Sequence, residues 1–175
     1  GVTKVTVGGN SNTTVTALPT GSTIEMFGDG NTANGILSYA YATASAAQTI
    51  NITGGTSAAG VANITATAST GVTTVTINST GAANALDTIL LNSAGGAGTV
   101  TSFTINATTG LTATLTAADF AATAAADIDG AGAVNIGANF DGKTVDASGN
   151  SGGVTMALST NTTRYVGSTG NDVTT

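Results

Sequence analysis

The sequence lacks cysteine, histidine and tryptophan, and Pro19 is its only proline. Without cysteine and histidine, the chain can form neither disulfides nor thiolate zinc sites, and it cannot contain the Ser-His-Asp or Cys-His arrangements of hydrolases. General acid–base catalysis would have to use a carboxylate pair, for which Asp127/Asp129 and Asp141/Asp146 are the candidates. These residues are more simply explained as turn residues or cation ligands. We therefore expect that the protein is not an enzyme.

Charged residues are also scarce. Nine acidic and three basic side chains make up 7% of the chain and give a formal net charge of −6. Nucleic-acid binding requires clustered lysine and arginine, whereas Lys4, Lys143 and Arg164 are scattered. No apolar run approaches the roughly 20 residues that a membrane helix needs. We expect no nucleic-acid partner and no membrane insertion, and the acidic balance favours binding of a hard cation.

The residues that remain are mainly alanine, threonine, glycine, asparagine, serine and valine, with only four phenylalanines and three tyrosines. One large globular core would lack the bulk to fill its centre. A stacked array needs less, because each repeat buries a narrow core against its neighbours. Disordered chains are poor in β-branched residues, whereas this chain is rich in them and alternates with the period of a strand.

A short phrase recurs in the middle of the chain at nearly equal steps. Its copies are Thr49-Ile50-Asn51, Thr76-Ile77-Asn78 and Thr104-Ile105-Asn106, with a weaker echo, one further step along, at Ala133-Val134-Asn135. A second alternating run follows each full copy, at residues 63–67, 87–91 and 111–115. Two short strands per repeat predict an all-β protein, a β-solenoid with rungs of roughly 27–29 residues. Threonine should face outward, with valine, isoleucine and leucine facing inward.

We expect one β-rich repeat domain over residues 1–175, cut from a longer chain. Residues 1–45 are predicted to be irregular entry strands, residues 46–130 the clearest repeats, and residues 131–175 strands leading into a glycine-rich segment. Residues 117–126 are either an alanine-rich helix or a loop crossing the rungs. Tyr39 and Tyr41, at a spacing of two, suggest an end region or an exposed stripe.

Calcium is the most specific ligand that the sequence suggests. Calcium takes six to eight oxygen ligands, usually from carboxylates, amides and carbonyls on glycine-rich loops. The best local pair is Asp127 with Asp129, beside Gly130. The full set of predicted metal ligands is Asp127, Asp129, Asp29, Asn31, Asp141, Asp146 and Asp172. The alternative is that these residues only cap turns.

The last third of the chain resembles a passage of large type I-secreted bacterial proteins. Residues 144–149 (TVDASG), 153–158 (GVTMAL) and 164–172 (RYVGSTGND) are similar to the strand pair that leads into the glycine-rich RTX nonapeptides of those proteins. Gly167, Gly170 and Asp172 fit the pattern G-G-x-G-x-D-x-U-x, while Ser168 and Thr174 depart from it. The composition and the absence of cysteine look most like the surface-layer (S-layer) proteins of Gram-negative bacteria.

This resemblance implies a secreted structural protein on the bacterial cell surface, stabilised by calcium and self-associating into a two-dimensional lattice. A cell-surface polysaccharide would be contacted through regions outside this chain. Two alternatives remain: a stalk or passenger segment of a secreted RTX adhesin, and an ice-binding solenoid. For the latter, the threonines at Thr65/Thr67, Thr74/Thr76 and Thr112/Thr114/Thr116 would have to line up on one flat face.

Overall fold

The computed structural model describes residues 1–30, 34–43, 45–56, 63–66, 72–91 and 98–175. Short strands make up most of these residues. They are β1 (Lys4–Gly8), β2 (Thr13–Leu18), β3 (Thr23–Phe27), β4 (Ile36–Tyr41), β5 (Ala47–Thr53), β6 (Asn63–Ala66), β7 (Thr74–Thr80), β8 (Asn84–Leu90), β9 (Val100–Ala107), β10 (Leu111–Leu115), β11 (Phe120–Asp129), β12 (Val134–Phe140), β13 (Thr144–Asp146), β14 (Val154–Leu158), β15 (Arg164–Val166) and β16 (Val173–Thr174).

The strands form two parallel sheets of eight strands each. The first sheet contains the odd-numbered strands in chain order, and the second sheet contains the even-numbered strands in chain order. The chain therefore visits the two sheets alternately and advances by one strand position in each sheet per turn. This path is a parallel β-solenoid, and the predicted fold is confirmed.

The recurring phrase stacks on itself in the first sheet, as its spacing predicts. Ile24, Ile50, Ile77 and Ile105 are successive register partners, and all four are at most 1% exposed. The threonine and asparagine on either side of each repeat isoleucine point outward and are half-buried. The two steps between the three repeat copies are 27 and 28 residues. The predicted rung length therefore describes the centre of the solenoid.

Rungs become shorter toward the C-terminus, and this shift places the fourth repeat elsewhere than predicted. Ile105 pairs with Ile128, and Asp127 pairs with Asp146, so that both steps are shorter than those between the repeat copies. The predicted echo, Ala133-Val134-Asn135, was the wrong match, because Val134 pairs with Leu111 in the second sheet. Shorter connections in this part of the chain break the period on which the sequence prediction relied.

The alanine-rich segment is neither a helix nor a loop along most of its length. Residues Ala117–Asp119 make one 3-10 turn, and β11 begins directly after it at Phe120. Ala124 and Ala126 are buried while Ala125 is exposed, which is the alternation of a strand. Helix propensity is a weak preference, and here the hydrogen bonds to β9 on one side and β13 on the other outweigh it.

The core runs between the two sheets along the solenoid and contains most of the aromatic residues. Phe103, Phe120 and Phe140 form an edge-to-face cluster with ring centroids 5.1 and 5.0 Å apart. Tyr39 and Tyr41 also belong to the core, with exposures of 0% and 8%. The prediction of an exposed tyrosine stripe was therefore wrong, because the face of β4 that carries both rings is the inner one.

Buried asparagines hold the corners between the sheets. The Asn84 side chain is 3% exposed, and its Oδ1 accepts hydrogen bonds from the N–H groups of Gly55 (3.1 Å) and Thr56 (2.9 Å). Its Nδ2 donates to the Ile52 carbonyl oxygen at 3.0 Å. Asn150 acts in the same way at a later corner, where its Oδ1 accepts from Gly153 N–H at 2.9 Å. Each asparagine satisfies backbone groups that the turning chain leaves without a strand partner.

Candidate functional site

The strongest cluster of predicted ligands lies on the outer face of the first sheet. Asp127 and Asp129 are two residues apart on β11, so both point outward, and Asp146 on β13 is the register partner of Asp127. Neighbouring strands are about 4.8 Å apart. Partial burial, followed by the negative charges of Asp129 and Asp146, raises the pKa of Asp127. The fold thus brings three of the predicted metal ligands into one electrostatically repulsive group.

Asp146 is partly compensated within this group. Its Oδ1 accepts hydrogen bonds from the hydroxyl of Ser148 at 2.6 Å and from the Ser148 N–H at 3.0 Å, and these bonds lower the pKa of Asp146. The Arg164 guanidinium lies 3.8 Å from Asp146 Oδ2, and both side chains are well exposed. Asp127 and Asp129 have no such cationic neighbour in the described structure. The excess negative charge is therefore concentrated on β11.

The other predicted ligands lie apart from this group. Asp29 is exposed in the turn after β3, and Asn31 lies outside the described residues. Asp141 accepts a hydrogen bond from Asn161 Nδ2 at 2.9 Å. Across the described ranges, no three acidic side chains converge closely enough to hold a metal ion. The structure thus brings together Asp127, Asp129 and Asp146 as neighbours rather than as a closed coordination shell.

Asp172 closes the turn before β16. Its carboxylate accepts hydrogen bonds from Val154 N–H (2.8 Å), from Ser168 N–H (2.7 Å) and from the Ser168 hydroxyl (2.5 Å). Burial alone would raise the pKa of Asp172, but the hydrogen bonds from Ser168 and Val154 outweigh burial and lower it. Ser168, which departs from the nonapeptide pattern, thus supplies two of the three donors to this carboxylate.

Sequence reasoning missed a ladder of asparagine side chains on the first sheet. Asn51, Asn78 and Asn106 are stacked in register, and Nδ2 of each later residue donates to Oδ1 of the one before at 2.8 Å. Glu25 precedes the ladder in the same column and Asp129 follows it. The signal was present, since asparagine is the third residue of every copy of the repeated phrase.

A shallow groove follows this ladder across the rungs. One wall is the asparagine column and the other is a column of threonines two residues further along each strand. We call it the amide groove; it has a volume of about 340 Å³. Its lining residues are Glu25, Asn51, Thr53, Asn78, Thr80, Asn106 and Thr108. Because hydroxyl and amide groups repeat once per rung, the groove presents the same polar groups several times along the solenoid axis.

A larger groove of about 440 Å³ crosses the beginning of the strands of the second sheet. Alanines and glycines, such as Ala83, Gly110, Ala133 and Gly153, provide much of its lining. It is concave because these side chains are small. It offers fewer side-chain donors and acceptors than the amide groove.

The threonine pairs considered for ice binding do not share one face. Thr74 and Thr76 are in the first sheet, Thr65, Thr112 and Thr114 are in the second, and Thr67 lies outside the described residues. In the first sheet Thr49, Thr76 and Thr104 align, but the column beside them holds Ala47, Thr74 and Ser102. Paired threonines therefore do not recur from rung to rung on either described sheet.

Comparisons with models of protein families, with curated proteins and with solved structures gave no match. Among the described residues, no helix has the length and apolar character needed to cross a bilayer.

Asp127→Asn is expected to raise the free energy of unfolding by about 0.2–1 kcal/mol at neutral pH, because it removes a charge directly opposite a like charge. Since the folded-state pKa of Asp127 is raised, the folded protein binds more protons than the unfolded chain between the two pKa values. The free energy of unfolding of the wild type should therefore fall as the pH rises from the unfolded-state pKa to the folded-state pKa. Below this pH range, the Asp127→Asn variant should no longer be more stable than the wild type.

Urea unfolding followed by circular dichroism, at neutral pH and at a pH below the ordinary carboxyl pKa, measures this difference. Asp141→Asn is the control, because Asp141 accepts a hydrogen bond from Asn161 and the substitution should bring no gain. A loss of stability in Asp127→Asn at neutral pH would contradict the repulsion between these carboxylates.

Proposed function

We propose that this chain is a structural segment of a secreted, RTX-associated bacterial surface layer. It would self-associate into a two-dimensional lattice at the cell surface, stabilised by calcium. The observation that carries the proposal is the pair of eight-stranded parallel sheets. Each sheet is a continuous hydrogen-bonded ladder, and the outer faces carry mainly threonine, serine, asparagine and aspartate. Such a ladder is a stiff element, because each rung is hydrogen-bonded to the rungs above and below.

The distribution of negative charge supports a role for calcium. Asp127 and Asp129 are outward-facing carboxylates beside Asp146, and the pKa of Asp127 is raised first by partial burial and then by the negative charges of Asp129 and Asp146. A divalent cation bound by these carboxylate oxygens would relieve the repulsion between them. Since this face offers only part of a coordination shell, the remaining ligands would come from water or from a neighbouring copy. Calcium would then join molecules as well as stabilise each one.

The shortening of the rungs supports the resemblance to RTX proteins. In the last rung, the Val154 N–H donates to the Asp172 carboxylate, 18 residues further along the chain, and this separation equals the length of two nonapeptides. The strands on either side of this bond, β14 and β16, are paired at Thr155 and Val173. The C-terminal rungs thus approach the dimensions of a nonapeptide solenoid, which supports the proposal of an RTX-associated surface-layer segment exported by type I secretion.

Sedimentation velocity with and without millimolar calcium, combined with thermal melting, tests the proposal. We expect calcium to drive the chain into large assemblies and to raise its melting temperature. The double substitution Asp127→Asn/Asp129→Asn should weaken both responses, while Asp141→Asn should leave them unchanged. A higher melting temperature without assembly would favour an adhesin stalk instead. If calcium changes neither measurement, the calcium-dependent lattice is excluded for this segment.

A further inference from the structure

We propose that the amide groove binds an extended, uncharged polysaccharide chain that lies along the solenoid axis with one sugar unit on each rung. This inference goes beyond the structural role proposed above and does not depend on self-assembly. It also places polysaccharide binding within this segment, whereas the sequence suggested that such binding would need regions outside it.

The repeat distance of the groove suits such a ligand. Asn51, Asn78 and Asn106 follow one another at the strand separation of about 4.8 Å. That separation is similar to the length of a pyranose unit in an extended β-1,4-linked chain. The two walls are two residues apart along each strand, roughly 7 Å, so that a sugar ring lying over the groove can reach both walls with its hydroxyl groups. Successive sugars would meet the same amide and hydroxyl groups.

The ladder leaves hydrogen-bonding capacity open to the groove. An asparagine side chain has two N–H donors and two acceptor lone pairs. Asn78 uses one N–H toward Asn51 and one lone pair toward Asn106, which leaves one donor and one acceptor. On the opposite wall the Thr80 hydroxyl donates to Thr53 Oγ1 at 2.9 Å, so that the Thr53 hydroxyl proton is available to a ligand. Sugar hydroxyls can both donate and accept, and they suit this mixture.

The charge of the groove favours a neutral ligand. Its only ionisable lining residue is Glu25, whose Oε1 lies 2.9 Å from Lys4 Nζ, and the hydrogen bond from Lys4 lowers the pKa of Glu25. The ion pair therefore cancels the charge at this end of the groove. At the other end Asp129 follows Asn106 in the column, and Asp127 is close by. An anionic polysaccharide would be repelled there, whereas an uncharged one would not.

An exposed aromatic ring extends the groove at its first rung. Phe27 is 50% exposed, and it is the register partner of Thr53, so it continues the threonine wall beside Glu25. Its ring lies against Gly54, where a larger residue would collide with it. Because half of this side chain is exposed, the ring is accessible to stack on the apolar face of a pyranose. Phe27 is one of only three large apolar side chains exposed in the described part of the chain.

The test is a titration of the whole chain, labelled with ¹⁵N, with three neutral hexasaccharides: β-1,4-linked glucose, β-1,4-linked N-acetylglucosamine and β-1,4-linked mannose. We expect at least one of them to shift the side-chain amide resonances of Asn51, Asn78 and Asn106. Asn78→Ala should weaken binding by at least about fivefold, the equivalent of one lost hydrogen bond. A hexamer of galacturonate, which is anionic, should not bind.

Two further variants keep the test decisive if Asn78→Ala disturbs the ladder. Phe27→Ala changes an exposed side chain and should also weaken binding about fivefold. Asn135→Ala, on the exposed face of the second sheet, is the matched control and should leave the affinity unchanged. The proposal is overturned if none of the three hexasaccharides shifts the groove resonances, or if Asn135→Ala weakens binding as much as Asn78→Ala does.

Discussion

Phe120→Ala is expected to lower the free energy of unfolding by about 3–5 kcal/mol, the usual range for removing a buried phenylalanine ring. Phe120 is 3% exposed and lies between Phe103 and Phe140, with ring centroids 5.1 and 5.0 Å away. Its removal leaves a cavity between two rings that belong to strands of different sheets, β9 and β12. Urea unfolding monitored by circular dichroism measures the loss.

Phe27→Ala is the matched control for this experiment, because it removes the same ring from a position that is half exposed. Its loss should remain below about 1 kcal/mol, as is usual for surface substitutions. Equal losses in the two variants would show that the three-ring cluster does not contribute to the folded core as its packing indicates.

Asn84→Ala is expected to destabilise the protein by about 2–4 kcal/mol, although it removes only a small polar side chain. The substitution leaves the N–H groups of Gly55 and Thr56 and the carbonyl oxygen of Ile52 without their partner. A buried backbone group that loses its partner costs about 1–3 kcal/mol. The comparison is Asn135→Ala, an exposed asparagine in the second sheet, for which we expect almost no change in the same unfolding measurement.

Asn84→Asp distinguishes the hydrogen bonds that the Asn84 side chain accepts from those that it donates. A carboxylate still accepts from Gly55 and Thr56, but it cannot donate to Ile52 and places a negative charge beside a carbonyl oxygen. We therefore expect the variant to be destabilised at neutral pH and to recover in part as the pH falls and the carboxyl group gains a proton. If stability does not depend on pH relative to the wild type, the donated hydrogen bonds are not what makes Asn84 important.

The repeated phrase was sufficient to predict the fold because it encodes which side of the strand is buried. Ile50, Ile77 and Ile105 alternate with threonine and asparagine. In a strand, this alternation places isoleucine on one face and the polar residues on the other, and the isoleucine face is the buried one. The period then predicted the register of the central strands. It failed after Ile105, because the connection to β11 is shorter and the next inward isoleucine, Ile128, is flanked by aspartates.

The local errors have a common physical origin in tertiary context. Alanines in β11 have a helical preference, but a strand between two ladder neighbours forms hydrogen bonds along both edges. The spacing of Tyr39 and Tyr41 suggested an end region or an exposed stripe, although the solenoid interior accommodates Tyr39 completely. The sequence around Asn84 has no feature that marks it as a corner residue, since its partners Gly55 and Thr56 belong to the preceding rung.

The candidate sites differ in how visible they are in a single sequence. Asp127 and Asp129 stand out as rare charges at a spacing of two, and their common face follows from strand geometry. The proximity of Asp146 depends on the shortened rung between β11 and β13, which the pattern did not predict. The asparagine ladder needed only the repeat itself, but its importance appears once three rungs are seen in register.

The stacking of rungs also determines how the molecule would respond to mechanical load. Each rung contacts mainly the rungs directly above and below it, so tension applied along the chain would peel rungs from an end one after another. With steps of 18 to 28 residues from one rung to the next, each rupture would release roughly 6–10 nm of chain. A solenoid of this kind would dissipate a pull in small increments and lengthen before it ruptures completely.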